Sequence, residues 1–479
     1  MPPAMKTRSL ALALGLLACR HAVTPPSDRP SPPPRAAPPV DAAPVDAAPD
    51  DVAPPPDDPL ARRLSAMADE LAERMAVVRG LAVRRPVARG VMSRAAVIDR
   101  LRRRTRAEYP PGELELEGET LKRLGLIPEA LDYERTMFDL LEEQVLGFYD
   151  PDEHRLYIAD WVPAEMQTST MAHEVTHALQ DQHFDIGRFT HHVRGRGDAQ
   201  TAAMAVVEGD ATAAMFDFAL APSGRTVLDL PDVTSSVAGQ MSGGDQPRLA
   251  AAPRALRETL LFPYITGLRL CVERMRAGGH AAVDALLTAP PASTEQALHA
   301  DKLAAREAPV EVPAAVPAPL AAAFELAYHD VVGEFGTRLV LADAVGEARA
   351  HAAAQGWGGD HAMLLAPRGS VAPGGDGGVA LSAAALPGAA LVWVSVMDAG
   401  RPQDDAEARE LTAALTATLA RRYAARPVAR VADAAAARDV GGGRVSLVGT
   451  RGRTVVLLDR VPAESAAATL RALLPERAR

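Results

Sequence analysis

Two histidines four residues apart, His173 and His177 in the segment HEVTH, constrain the fold more than any other feature of this 479-residue sequence. Residues at that spacing share one face of an α-helix, so both imidazoles can reach a single ion. The pattern from Gln167 to about Gln182 is typical of a helix. We therefore expect a helix that presents both histidines to one metal.

Glu174 follows the first histidine of the same motif. A bound zinc ion lowers the pKa of its water ligand toward neutrality, and a carboxylate within hydrogen-bond reach can take the proton as that water attacks a carbonyl. The sequence predicts one Zn²⁺ ion held by His173 and His177, with Glu174 as the general base.

Zinc needs a third protein ligand, and Glu208 is the first candidate. It lies in an apolar helix predicted from about Asp198 to Leu220, where an unpaired carboxylate is costly to bury unless a metal or another cation meets it. Asp210, close by in the same helix, is placed to hydrogen-bond the far nitrogen of a liganding histidine.

His183 is the alternative third ligand, because HEVTHALQDQH has the histidine spacing of the metzincin peptidases. Those proteins need a glycine that turns the backbone toward the metal, and this chain has Gln180 at that place. If the helix continues, His183 lies about 120° around it from His177. The pattern therefore favours Glu208.

Hydrolysis of an amide also profits from a donor that stabilises the developing oxyanion. Tyr264 in the segment FPY and His299 in STEQALH are the candidates. The alternatives are a core tyrosine with a bonded hydroxyl, and a capping or supporting role for the polar cluster near His299.

HEVTH followed about thirty residues later by Glu208 in EGDA resembles the gluzincins, whose two histidines and distant glutamate bind zinc. Over roughly residues 120–400 the chain is also similar to an uncharacterised group of bacterial, often lipoprotein, gluzincin-like proteins. The segments that carry this resemblance are EQVLGFYDP, HEVTHALQDQHF, VEGDA, FPY, GG, PPASTEQALH and GWGGD. The resemblance implies a zinc peptidase fold in which the strand RLYIAD lies along the cleft and pairs with an extended substrate.

The amino terminus has the pattern of an export signal, with Lys6 and Arg8 before an apolar run that ends in LLAC. That ending resembles the lipobox of bacterial lipoproteins. It predicts a signal peptide over residues 1–18, an acylated Cys19 that binds the lipid bilayer, and a membrane-anchored protein on the periplasmic or surface side of the cell envelope. A plain secretory signal with an incidental Cys19 is the alternative.

Composition restricts the partners further. Residues 19–59 are rich in Pro, Ala and Asp, which predicts a disordered tether. The formal net charge of −10 argues against nucleic acid as a partner. Cys271, the second of the two cysteines, lies in an apolar segment and is predicted to be a small core residue.

The rest of the chain is predicted to be α+β, in two domains. Residues 60–310 form a helix-rich, gluzincin-like zinc metallopeptidase domain, with a short β-hairpin or sheet beside the active-site helix. The segment VEVPAAVPAPL marks the boundary. Residues 311–479 form a C-terminal α/β accessory domain, in which we expect a long helix to about Gln355 and a tight turn at Trp357–Asp360.

These features predict an exported, lipid-anchored zinc peptidase that hydrolyses a peptide or protein substrate. The alternative is a zinc-containing binding or assembly lipoprotein of the cell envelope that has no catalytic activity. The two differ at Glu174, because its change to glutamine abolishes turnover only in an enzyme.

Overall fold

The computed structural model describes residues 59–161, 164–235, 246–373, 379–381, 386–398 and 404–474. The predicted signal peptide, Cys19 and the tether up to residue 58 lie outside the described residues. The protein is α+β, as predicted. None of the helices in the described ranges is both long and apolar enough to cross a membrane.

The amino-terminal region is mostly helical and carries one short sheet. Ser93 accepts a hydrogen bond from the backbone N–H of Ala96 and so caps the second helix, as its position in the sequence favours. The elements of this region are α1 (Pro59–Arg79), β1 (Ala88–Met92), α2 (Arg94–Glu108), α3 (Glu113–Leu124), α4 (Tyr133–Gln144), β2 (Gly147–Asp150), β3 (Arg155–Ala159), α5 (Ala164–Phe184), α6 (Gly187–Thr190), α7 (Gly197–Leu220), α8 (Pro247–Ala251), α9 (Arg254–Thr288), α10 (Thr294–Leu298) and α11 (Ala300–Ala305).

The carboxy-terminal region is built on a six-stranded sheet in the order β4-β5-β8-β11-β10-β9. Its elements are β4 (Phe324–Asp330), α12 (Gly333–Val345), α13 (Glu347–Ala354), β5 (Trp357–Pro367), β6 (Val371–Pro373), β7 (Val379–Leu381), β8 (Ala390–Met397), α14 (Asp404–Arg422), β9 (Ala436–Gly441), β10 (Arg444–Arg451), β11 (Thr454–Pro462) and α15 (Ala463–Leu473).

Every pairing in the six-stranded sheet is antiparallel, which corrects the predicted α/β layer unit. Tight turns account for part of the difference: β10 and β11 are joined at Gly452, whereas parallel neighbours need a crossover of about a dozen residues or more. Strands β4 and β5 are antiparallel although α12 and α13 lie between them. Helices cover both faces. On one face of the sheet, Leu391 and Trp393 of β8 belong to a hydrophobic cluster that includes residues of α14. Val392 points to the opposite face and belongs to a cluster that includes residues of α15.

Two expectations for this region were wrong. The predicted long helix to Gln355 is instead strand β4 followed by α12 and α13, which are separated at Gly346, where φ is +80°. The predicted turn at Trp357–Asp360 is the first part of β5, where the Trp357 indole donates to Asp360 at 2.7 Å. In both places pairing with neighbouring strands decides the local structure.

Helix α7 lies in the centre of the amino-terminal region. Every residue from Ala202 to Phe218 is buried, as expected for a helix that is apolar on all sides. It packs most closely on α9, because a Cβ at Gly209 would collide with the backbone of Gly267, and a Cβ at Gly267 would collide with that of Ala205. These two glycines bring the helix backbones together. Cys271 of α9 is fully buried there, as predicted.

The short sheet has the order β1-β3-β2 and packs beside α5. Strand β3 pairs in parallel with β1 along its whole length and antiparallel with β2 from Arg155 to Ile158. The segment RLYIAD is therefore the middle strand, and the expectation that it pairs with a substrate was wrong. The outer edges of this sheet belong to β1 and β2.

The two regions pack together through α3. Leu116 of α3 is fully buried in a cluster with Tyr328 of β4 and Leu364 of β5. From the other side, the guanidinium of Arg422 in α14 donates to the carbonyl of Lys122 at 2.8 Å.

Candidate metal centre

Helices α5 and α7 bring three predicted ligands to one point. Nε2 of His173 lies 3.1 Å from Oε2 of Glu208, and Nε2 of His177 lies 3.5 Å from the same oxygen. The two Nε2 atoms are 3.0 Å apart. All three candidate ligand atoms lie within 4.8 Å of one another, which is the convergence that a single metal ion requires.

The residues present fit a divalent cation. His173 and His177 are each 1% exposed and Glu208 is 0% exposed, yet Oε1 of Glu208 and Nδ1 of His173 make no hydrogen bond within the described part of the chain. Burial lowers the pKa of His177, but the charge and hydrogen bond of Glu208, together with the charge of Glu174 and the hydrogen bond to Gln180, raise that pKa to about 9. The carboxylate thus favours positive charge at this point, and two imidazoles with one carboxylate form a donor set suited to zinc.

Gln180 fixes the orientation of the second histidine. Its Nε2 donates to the carbonyl of Val207 at 3.0 Å and to Oδ2 of Asp210 at 2.7 Å. Its Oε1 therefore faces His177, whose Nδ1 lies 2.9 Å away and must be the donor. In a neutral imidazole with Nδ1 protonated, the lone pair is on Nε2, the atom that faces Glu208.

Asp210 supports this arrangement one step further out. The prediction that Asp210 bonds a liganding histidine directly was wrong, because Gln180 lies between the two side chains. The other carboxylate oxygen of Asp210 accepts from Nε of Arg79 at 2.6 Å, and Arg79 also pairs with Asp284. The fully buried Arg79 thus ties α1 to α7 and α9. Sequence reasoning missed Gln180, although its place three residues after His177 on the same helix was a usable signal.

Glu174 lies beside the cluster but bonds elsewhere. Its Oε2 accepts from the backbone N–H of Tyr149 in β2 at 2.9 Å, and the side chain is 2% exposed. Burial raises the pKa of Glu174 to about 8, although the nearby His177 favours the ionised form. A cation held by the three ligands would favour ionised Glu174 as well.

A cavity of about 10 Å³ lies next to Glu174, bounded by the hairpin and by α5. That volume is close to the space that one water molecule needs. Gly147 and Ile158 contribute to its wall on the strand side, and Thr170 on the helix side. Because the Tyr149 N–H points at Glu174, the outer edge of β2 faces this place.

The remaining sequence candidates lie at different distances from the cluster. The ring of Tyr264 stacks on His173 with 6.2 Å between centroids. His299 is instead bound to Glu334 of α12, with 2.8 Å between Nε2 and Oε1. His183 lies on the continued helix α5, with Nε2 2.8 Å from the carbonyl of Ala82, and is not among the converging ligands.

Comparison with known proteins concerns the carboxy-terminal region. Residues 324–471 match a family described as "Domain of unknown function (DUF8575)". The match begins with β4 and ends within α15, so it covers the six-stranded sheet and excludes the metal cluster. No curated protein and no solved structure matches the chain.

Proposed function

We propose that this protein is a zinc-dependent peptidase of gluzincin-like type. The observation that carries the proposal is the convergence of His173, His177 and Glu208 beside Glu174. The ligand set and its spacing resemble those of the gluzincins, in which HExxH and a distant glutamate hold the ion.

A bound zinc ion would supply Lewis acidity and lower the pKa of a water ligand. Glu174 takes the proton of the attacking water and later delivers it to the leaving amine. The Tyr149 N–H holds this carboxylate in place, and Gln180 holds His177. Tyr264 is the better placed of the two oxyanion-donor candidates, because its ring contacts His173.

An extended peptide is the proposed substrate, paired with the outer edge of β2 instead of β3. The supporting observation is proximity, because the outer edge of β2 lies beside Glu174, which already accepts the Tyr149 N–H. A peptide would pair with the other main-chain groups of this edge, and the buried strand would have to open to admit it. Main-chain hydrogen bonds at a strand edge hold a substrate in extended form, the form in which a scissile bond is accessible.

The second candidate is a zinc-containing binding or assembly lipoprotein without turnover. The burial of all three ligands and of Glu174 favours it, because a hydrolytic site must admit its substrate. In such a binding protein, the ion would stabilise the packing of α5 on α7.

Elemental analysis and peptide hydrolysis together test the proposal. We expect one zinc ion per chain in the parent, loss of that zinc in Glu208→Ala, and retention in the control His183→Ala. Glu174→Gln is expected to keep zinc and to lower kcat by at least about a hundredfold, since it removes the general base. A zinc-free parent contradicts the metal site. Zinc without any peptide hydrolysis in the parent favours the binding protein.

Export and lipid anchoring at Cys19 remain part of the proposal and rest on the sequence alone. Mass spectrometry of the amino-terminal peptide tests them. We expect a chain that begins at an acylated Cys19, and an unmodified Cys19 in the membrane-bound protein contradicts the anchor.

A further inference from the structure

A second cavity, partly open to solvent, lies where the two regions meet. This junction cavity has a volume of about 240 Å³ and is walled by α3, α4, α7 and α9 from one region and by β4 and α12 from the other. Thr201 lines it from α7, and Glu208 follows seven residues later on that helix, about 10 Å along the axis. The junction cavity is therefore separate from the metal cluster.

The wall of the junction cavity is acidic. Glu117, Asp198 and Asp330 contribute carboxylates, and among the described residues that line it there is no lysine or arginine. His192 is the one imidazole in the wall, and its Nε2 lies 3.1 Å from Glu113, outside the cavity lining. Although burial lowers it, the hydrogen bond to Glu113 and the charges of Glu117 and Asp330 raise the pKa of His192, so its imidazolium offsets part of the acidic charge. Three carboxylates against one imidazolium still leave an excess of acidic groups in the wall.

Within the described residues, the hydrogen bonds to these carboxylates come from neutral donors. Oε1 of Glu117 accepts from the hydroxyl of Tyr133 at 2.8 Å, while its Oε2 is buried and makes no hydrogen bond within the described chain. Asp198 accepts from the backbone N–H of Thr294 at 3.0 Å, and Asp330 accepts from that of Gly197 at 2.8 Å. Burial raises the pKa of Glu117 to about 7, so its ionised form gains from any cation brought close.

Aromatic and aliphatic side chains form the rest of the wall. The rings of Tyr109, Tyr133, Tyr328 and Phe335 line the space, together with leucines from α3 and α9. Aromatic faces attract organic cations, and carboxylates bind their N–H groups. Rings and carboxylates together distinguish this cavity from a purely apolar void, which prefers neutral hydrocarbons.

We infer that the junction cavity binds a small organic cation, a primary ammonium carried on an apolar body about the size of one ring. An engineered apolar cavity of about 150 Å³ accommodates benzene, so the larger space here has room for a ring with a short ammonium chain. Both regions supply the wall, so such a ligand would also tighten their packing. The inference does not depend on the metal centre or on peptidase activity.

Titration calorimetry on the full chain near pH 8, about one unit above the pKa of Glu117, tests the inference. The probes are phenethylammonium, its neutral isostere 2-phenylethanol and the anionic 3-phenylpropionate. We expect phenethylammonium to bind at least about tenfold more tightly than the alcohol, because only the ammonium meets the carboxylates, and the anion not to bind.

Glu117→Gln keeps the size of the side chain and removes its charge, so it should weaken phenethylammonium binding about tenfold and leave the alcohol unchanged. Glu115→Gln is the matched control, since Glu115 lies exposed on the same helix and should bind like the parent. Equal affinity for ammonium and alcohol, or no loss in Glu117→Gln, overturns the inference. If Glu117→Gln does not fold, the order of the parent protein's affinities for the three probes tests the inference without the variant.

Discussion

Two buried carboxylates, Asp459 in the carboxy-terminal region and Glu208 in the amino-terminal region, are compensated differently. In the carboxy-terminal sheet, Asp459 is buried but accepts from the hydroxyls of Tyr423 at 2.6 Å and Ser446 at 2.7 Å, with Arg422 at 3.7 Å. In the amino-terminal region, the described partners of Glu208 are two imidazoles, without a lysine or arginine. A buried carboxylate is stable when a cation meets it.

The way a buried carboxylate is compensated indicates whether it needs a ligand. Asp459 is compensated by side chains of its own chain, so it serves the fold. The negative charge of Glu208 is compensated only when a histidine is protonated or when the histidines bind a cation. Stability of the sheet and occupancy of the metal centre should therefore be separable by mutation, and two substitutions test this in opposite directions.

The largest expected effect is on the sheet. Leu458 of β11 is fully buried between β8 and α15, and Leu458→Ala should lower the free energy of unfolding by about 2–5 kcal/mol through lost burial and a cavity. Differential scanning calorimetry measures the fall, and zinc affinity should remain that of the parent. Val428→Ala is the control, because Val428 is exposed and its truncation should change little. A loss of zinc affinity in Leu458→Ala would contradict the separation of the two regions.

A smaller effect is expected at the metal centre. Gln180→Met keeps the length of the side chain but removes the acceptor of the His177 Nδ1–H, so zinc affinity should fall by about 10–100-fold. Competition with a chromogenic chelator measures it, without any need for activity. Gln182→Met is the matched control, since Gln182 lies on the same helix and bonds to Arg84 and Arg85 instead. Equal affinities in the two variants would exclude a positioning role for Gln180.

Much of the centre was predictable because its chemistry is local. His173, Glu174 and His177 lie close together on one face of α5, and a glutamate in the largely apolar sequence of α7 is unusual enough to be noticed. The continuation of α5 to Phe184 also follows from Gln180, where a glycine would have allowed a turn.

The features that the sequence did not predict depend on contacts between distant parts of the chain. Arg79 meets Asp210 across 131 positions, a pairing that no local pattern contains. The segment ARGVM of β1 was not recognised as a strand, and its parallel pairing is what makes β3 the middle of the short sheet. The segment of strand β4 was predicted to be helical. It forms a strand because it pairs with β5, and no local sequence pattern indicates that pairing.

The burial of the metal cluster has a consequence for timing. Because His173 and His177 are each 1% exposed and Glu208 is 0% exposed, an ion needs a local opening of the surrounding structure to reach them, and entry and escape are limited by how often that opening occurs. An ion that is present when the helices first pack would be retained for as long as that packing lasts. The metal content of the protein would then reflect which ions were present when the chain folded.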